Sequence, residues 1–185
     1  MGVKEIMLDT ESKSGKLFYT KMLGMLDSPN RKLFDHPEKL LAHGGIRPGQ
    51  TVLEIGCGSG FFTVPVAGML GSSGKLYATD IHDIAIDETQ KKADRLGLDN
   101  VIVKKDDALH SGFGNEMFDL VLLYGVVPAP VISMEEIAKE IYRLLKPGGV
   151  CAIWTKAPLW TPKAALLCTP FHTMEKSGGV FRIYK

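Results

Sequence analysis

The sequence predicts an α/β protein, a doubly wound and mostly parallel seven-stranded sheet behind a short N-terminal helical cap, and three observations carry that prediction. From Thr51 onward, short β-branched or apolar runs alternate with longer helical stretches, the pattern of strands joined by helical crossovers. The first such run, "TVLEI", passes straight into "GCGSG", three glycines spaced two apart. The helical stretches stop where stop signals stand, at Gly97 and in "LLKPGG", as left-handed C-terminal residues and turns require.

Taken in order, the chain opens with helix signals. "KLFYTKMLGML" is apolar on two sides, "SPNRKLF" offers Ser28 as an N-cap with Pro29 following, and "HPEKLLAHGG" repeats the device with Pro37 and closes on Gly44. Residues 16–43 are read as the cap, which either covers a ligand cleft or adds packing to the sheet, and residues 44–185 as the core of a single domain spanning 1–185. The expected strands are "TVLEI", "KLYATD", "VIVKK", "FDLVLLY" and "GVCAIWT". Between them, helices are expected near Phe62 to Leu70, Asp83 to Leu96 and Ser133 to Leu145, with right-handed crossings. Asp83 is the expected N-cap of the second. Pro65 lies inside the first, so either Thr63 caps a late start or the first turn is irregular. The tail offers a helix begun by Thr161 and Pro162, then two short strands around "KSGG".

Composition narrows the function classes. A chain of 185 residues that is 45% apolar and 23% charged can bury a core without disulfides or metals. Its formal charge of +1 leaves no summed basic field for a nucleic-acid backbone or an anionic membrane, although a local basic patch is compatible with it. Cys57, Cys151 and Cys168 form no Cys-x-x-Cys pair and have no metal-ligand spacing, which suits a reducing compartment. No signal-peptide core and no run near the ~20 apolar residues of a membrane span is present. A soluble, cytoplasmic protein without a metal site, monomeric or homodimeric, is the expectation.

The glycine turn carries the chemistry. A strand that ends in glycines and opens a helix is expected to present backbone N–H groups to a ligand in close contact with the main chain. The spacing Gly56-x-Gly58-x-Gly60, followed by Phe61 and Phe62, is not the dinucleotide fingerprint, and no Lys-Ser or Lys-Thr follows for a triphosphate. Glu54, two residues before the first glycine, would repel a pyrophosphate and favour a ligand bearing an amino group.

These residues carry a resemblance. "VLEIGCGSG" resembles the first motif of the class I S-adenosylmethionine (SAM)-dependent methyltransferases; "LYATDIH", "KKDDAL", "FDLVLLYGVV" and "LLKPGGV" resemble the elements that follow, so the resemblance runs from Lys32 to Thr155. It implies a Rossmann-like fold with SAM as cofactor and S-adenosylhomocysteine (SAH) as product. It further implies that Gly56, Cys57, Gly58 and Gly60 surround the methionine part, with Glu54 on or near its amino group and main-chain carbonyls near Tyr124 and Gly125 completing that contact. Asp80, 26 residues after Glu54, takes the ribose hydroxyls unless it caps a helix, and Ile81 packs on adenine. Asp107 with Ala108 meets the adenine edge, with the adjacent Asp106 as the alternative. Asp119 is expected to be structural, and Cys57 is not expected to be a catalytic thiol, since no base partners it.

Methyl transfer from a sulfonium needs alignment and exclusion of water more than a base. Tyr19, Tyr124 and His110 are the candidates should an acceptor proton need removal, and His82 lies near the cofactor edge. "LYGVVPAP" lacks the Asn-Pro-Pro-Tyr type of run associated with methylation of nucleic-acid amino groups. With the neutral charge this points to a small-molecule acceptor, recognised in a space for which Tyr19, Phe34, Tyr124 and Trp160 are the candidate lining residues. The rival readings are a non-catalytic SAM sensor or methyltransferase-activating subunit, a nicotinamide oxidoreductase, disfavoured by the glycine spacing, and an aminopropyl transferase, which would need carboxylates near Tyr124 that the sequence lacks.

Overall fold

The computed structural model describes residues 5, 9–26, 36–128 and 132–185; the expected Ser28–Pro29 helix start and Phe34 lie outside these. In chain order the elements are α1 (Lys13–Leu26), α2 (Pro37–Ala42), β1 (Thr51–Ile55), α3 (Thr63–Leu70), β2 (Lys75–Asp80), α4 (Asp83–Leu96), β3 (Val101–Lys105), β4 (Phe118–Tyr124), α5 (Met134–Leu144), β5 (Leu145–Trp154), α6 (Lys163–Cys168), β6 (Thr173–Ser177) and β7 (Val180–Tyr184). They build a seven-stranded sheet in the order β3-β2-β1-β4-β5-β7-β6. The first five are parallel, and β7 and β6 close the edge antiparallel. The two tail strands around "KSGG" therefore pair with each other across a Gly178–Gly179 turn.

The centre of the sheet follows from strand composition. A strand covered on both faces reads as a continuous apolar run, and "FDLVLLY" in β4 is buried at every residue but Asp119. Its side chains then alternate between two cores. Val121 and Leu123 join Leu53, Ile141 and Ile183 on one face, while Leu120 and Leu122 join Val52, Val66 and Leu70 on the other. Each fully buried aliphatic side chain contributes about 1.5–3 kcal/mol relative to exposure, so these faces dominate the stability of the fold. Helix α5 docks through Ile137, Ala138, Ile141 and Leu144, and a reciprocal capping box fixes its start: Ser133 accepts from the Glu136 N–H, and Glu136 accepts from the Ser133 N–H.

Three expectations are corrected in detail. His82, in an extended conformation, is the N-cap of α4, and Asp83 is its first helical residue, where a carboxylate still favours the helix dipole. Asp83 instead pairs with Lys105 at 2.9 Å. Thr63 does not cap α3 but begins it after Phe62. Pro65 is then in the first turn, where a missing N–H leaves no helical hydrogen bond unmade. "KPGG" does not sit in a free turn. Leu145 pairs with Phe118 and Val150 with Leu120, so the residues between form an irregularity within β5.

The N-terminal ends of β1 and β4 are tied together by Asp119, whose carboxylate accepts from the Thr51 N–H and from Lys146 Nζ, each at 2.7 Å. Burial raises this carboxyl, and the Lys146 and Thr51 donors more than offset that, leaving it below the usual range. The structural role expected of Asp119 is the one it has.

Candidate functional site

The parallel strands reverse order between β1 and β4, and in such sheets ligands bind beyond the C-terminal strand ends at that switch. A cavity of about 610 Å³ lies there, lined from β1 through the glycine turn, by the ends of β2, β4 and β5, and by α1.

The glycine turn works differently from the expectation of free amides. The N–H groups of Gly56 and Cys57 both donate to the Thr79 carbonyl, at 2.8 and 2.9 Å, Gly58 donates to Asp80 and Gly60 to the Cys57 carbonyl. The turn is therefore locked to the end of β2. Its glycines are required by backbone geometry and close approach: Gly56 has φ 77° and an added Cβ would stand 2.6 Å from Val126, while Gly60 has φ 75° and closes against Thr89 of α4. Thr89 in turn donates to the Gly58 carbonyl at 3.0 Å.

Asp80 ends β2 and is 7% exposed. Its carboxylate accepts from the N–H groups of Gly58 and His82 and from the Tyr19 hydroxyl. Burial raises its pKa, and those donors work against the shift. Ile81, half-buried, follows it along the wall. Asp106, Asp107 and Ala108 line the adjoining part. Both Asp106 oxygens are committed, one to the Ser111 hydroxyl and the other to the Gly112 N–H. Asp107, exposed, accepts from the Leu109 N–H through Oδ1.

Glu54 and Gly60 do not line the cavity. Glu54 lies behind the turn, 3% exposed, and accepts from the Thr63 hydroxyl at 2.6 Å. Burial pushes its carboxyl up to about 8, partly opposed by Thr63 and reinforced by Asp80. Thr63 is thus a residue that sequence reasoning placed at a helix start without seeing its partner. The Cys57 thiol is buried and pushed up by desolvation, so it is not a poised nucleophile.

Of the expected proton acceptors, Tyr19 and Tyr124 line the cavity with their hydroxyls engaged, and His110 does not line it. Tyr19 donates to Asp80 at 3.1–3.2 Å and stacks on His82 with ring centroids 3.6 Å apart, so it stands beside the strand-end carboxylate. Tyr124 lines the cavity, but its hydroxyl donates to the Leu40 carbonyl at 3.3 Å and burial raises its pKa. His110 points to solvent, 3.5 Å from Asp107, and is not a wall residue. Trp160 packs on Phe181 instead of lining the space. Trp154, at the end of β5, does line it, with Phe62 and Val126.

The polar remainder of the wall fits a nucleoside-bearing ligand. Besides Asp80, Ser59 Oγ is buried in the glycine turn with no hydrogen-bond partner among the described residues, a group that a polar ligand would satisfy.

Comparison with known proteins agrees. Residues 46–177 match the family described as a methyltransferase domain. The demethylmenaquinone methyltransferase of Lactobacillus johnsonii is 32% identical over 110 residues, 58% of this chain and 44% of that protein. The ubiquinone/menaquinone biosynthesis C-methyltransferase of Haemophilus ducreyi is 29% identical over 140 residues, 74% of this chain and 53% of that one. The chain therefore spans about half the length of these curated relatives. A solved SAM-dependent methyltransferase from Aquifex aeolicus superimposes with a TM-score of 0.68 at 26% identity, over 89% of this chain and 96% of that chain. A domain match across most of the sequence, upheld by a solved relative of nearly the same extent, means that the chain belongs to the class I SAM-dependent methyltransferases.

Proposed function

We propose that the chain is a single catalytic domain that transfers a methyl group from SAM to a small apolar acceptor. The observation that carries this reading is Asp80, a buried carboxylate at the end of β2 facing the 610 Å³ cavity beside the locked glycine turn. A carboxylate there accepts both hydroxyls of a ribose, and Ile81 offers an apolar face to the base. Asp107 is the better adenine contact, because its carboxylate is exposed whereas that of Asp106 is drawn into the turn that follows. Gly56, Cys57, Gly58 and Ser59 would flank the methionine part, with Glu54 reaching its ammonium by ionising and turning from Thr63.

SAM, when bound, supplies a methyl already activated on a positively charged sulfur. The task of the protein is alignment, worth about 7–11 kcal/mol in favourable intramolecular cases. Here the apolar wall of Phe62, Tyr124, Val126 and Trp154 would hold the acceptor and keep water out. Tyr124 acts there as a packing surface, since its hydroxyl is tied to the Leu40 carbonyl. The names of the quinone-biosynthesis relatives support an apolar acceptor of the same general kind.

Calorimetry of the purified chain with SAM and SAH tests the cofactor half, and single-turnover transfer from radiolabelled SAM to a panel of hydroquinones, phenols and amines tests the rest. Absence of SAH binding at millimolar concentration defeats the reading. Binding without transfer to any acceptor turns it into that of a SAM-sensing subunit.

A further inference from the structure

Two segments border the mouth of the cavity, and both are unusual in the same way. Tyr19, Met22 and Leu23 of α1 line the cavity from one side, and Lys156 and Ala157, just after β5, line it from another. The opposite face of α1 carries Leu17, Phe18 and Met25, exposed at 58%, 40% and 78%. The helical period sets these three on one arc with Lys21, with the exposed Lys13 next to it and the exposed Lys16 at the boundary with the buried face. The segment 155–168 repeats the combination, with Leu159 and Leu167 exposed at 102% and 87% beside the exposed Lys156 and Lys163. Neither segment contains an Asp or Glu. Of the described carboxylates just before α1, Asp9 is engaged with Ser12 and Glu11 is exposed.

We infer that the rim of this cavity docks on an anionic lipid surface. A helix with exposed apolar residues and lysines but no carboxylate is the combination that seats itself in an interface, its apolar residues in the boundary and its lysines on the headgroups. The net charge of +1 hides this because the carboxylates lie elsewhere, and the expectation that no membrane is a partner gives way to a local patch. No helix among the described residues is long and apolar enough to cross a membrane, so the contact is peripheral. Charge also selects against a second copy of the chain. A two-fold contact through α1 would set lysines against lysines, whereas an acidic headgroup layer complements all five. That an apolar acceptor passes from the lipid into the cavity rests on the function proposed above; the docking does not.

The test is co-sedimentation of the full chain with large unilamellar vesicles, either pure phosphatidylcholine or an equimolar mixture with phosphatidylglycerol. We expect partitioning onto the mixed vesicles at least about tenfold stronger than onto the neutral ones, and release at about 0.5 M salt. The triple variant Lys13→Gln, Lys16→Gln, Lys21→Gln and the double variant Leu17→Ser, Met25→Ser should each bind the mixed vesicles about tenfold more weakly. All substituted positions are exposed, and unchanged SAH calorimetry confirms an intact fold. Asp80→Ala separates the two readings: it should lose SAH yet keep vesicle binding. Vesicle binding by a chain that ignores SAH leaves the docking standing and removes the methyltransferase reading. Equal binding to both vesicle types, or none, overturns the docking. So does self-association in sedimentation equilibrium that the double variant abolishes while vesicles are ignored, since that outcome assigns the face to a second copy.

Discussion

The two ends of the sheet each depend on an aspartate, and the two are held in opposite ways. Asp119 starts β4, partly exposed, with Lys146 beside it, and its donors take its pKa below the usual range. Asp80 ends β2, buried, and burial takes its pKa up despite the Gly58, His82 and Tyr19 donors. A carboxylate kept with a permanent partner is a fastener. One kept at a cost among replaceable donors is available to a ligand, and such perturbed groups gather at functional sites. The same side chain is a fastener at one end of a strand layer and, in the function proposed above, a ligand contact at the other, because of what surrounds it.

The sharpest way to break this contrast is Asp80→Ala. Hydrogen bonds to a charged group are worth about 1.5–3 kcal/mol, so SAH affinity should fall by more than about tenfold, read by calorimetry with circular dichroism to confirm the fold; unchanged affinity takes Asp80 out of the site. Glu54 extends the contrast to pH. Its folded value of about 8 stands above the ordinary 4.5, so the folded chain retains a proton that the unfolded chain gives up as pH rises between those values. Its contribution to stability is therefore present in acid and lost toward pH 8. Glu54→Gln should gain stability over the wild type across that window, on the order of 2 kcal/mol, in urea melts taken at several pH values; parallel pH profiles would mean that Glu54 ionises freely. If SAH draws its ammonium to this carboxylate, binding at pH 7 should also release a proton, measurable as a dependence of the binding heat on the ionisation enthalpy of the buffer.

Asp119→Asn tests the fastener. Because Asp119 and Lys146 are both part-exposed, the loss should be only about 1 kcal/mol, with SAH affinity untouched. The sign in pH is opposite to that of Glu54: a depressed carboxylate stabilises above its unfolded pKa and ceases to as pH falls, so the variant should show a shallower acid limb in thermal melts. The smallest effect is expected from Tyr19→Phe. The Tyr19 hydroxyl sits on the two oxygens that a ribose would use, and removing it should tighten SAH binding a few-fold; weakened binding would make Tyr19 a ligand contact instead.

The strands, their order of appearance and the stop of α4 at Gly97 were legible in the sequence because local signals state them: β-branched runs and a glycine in the left-handed conformation. So was the position of Asp80 at the end of β2, set at its distance from the glycine turn by one β-α-β unit. His110 was read as lying near the cleft because a position after a strand end does not say which way the next turn faces, and its side chain points to solvent outside the cavity wall. The Glu54–Thr63 bond and the Trp154 wall were missed for a similar reason. Their partners come from different elements, and no short-range pattern records them.

The chain's own periodicity and its glycine and stop residues determined a doubly wound sheet, since these depend on backbone preferences acting over a few residues. Only the tertiary structure decided what those glycines are for. With the Gly56 and Cys57 amides both spent on the Thr79 carbonyl, the turn is a rigid support for Asp80 and not a row of free donors. That outcome depends on how two strands register with each other, a relation that lies between segments and not within any one of them.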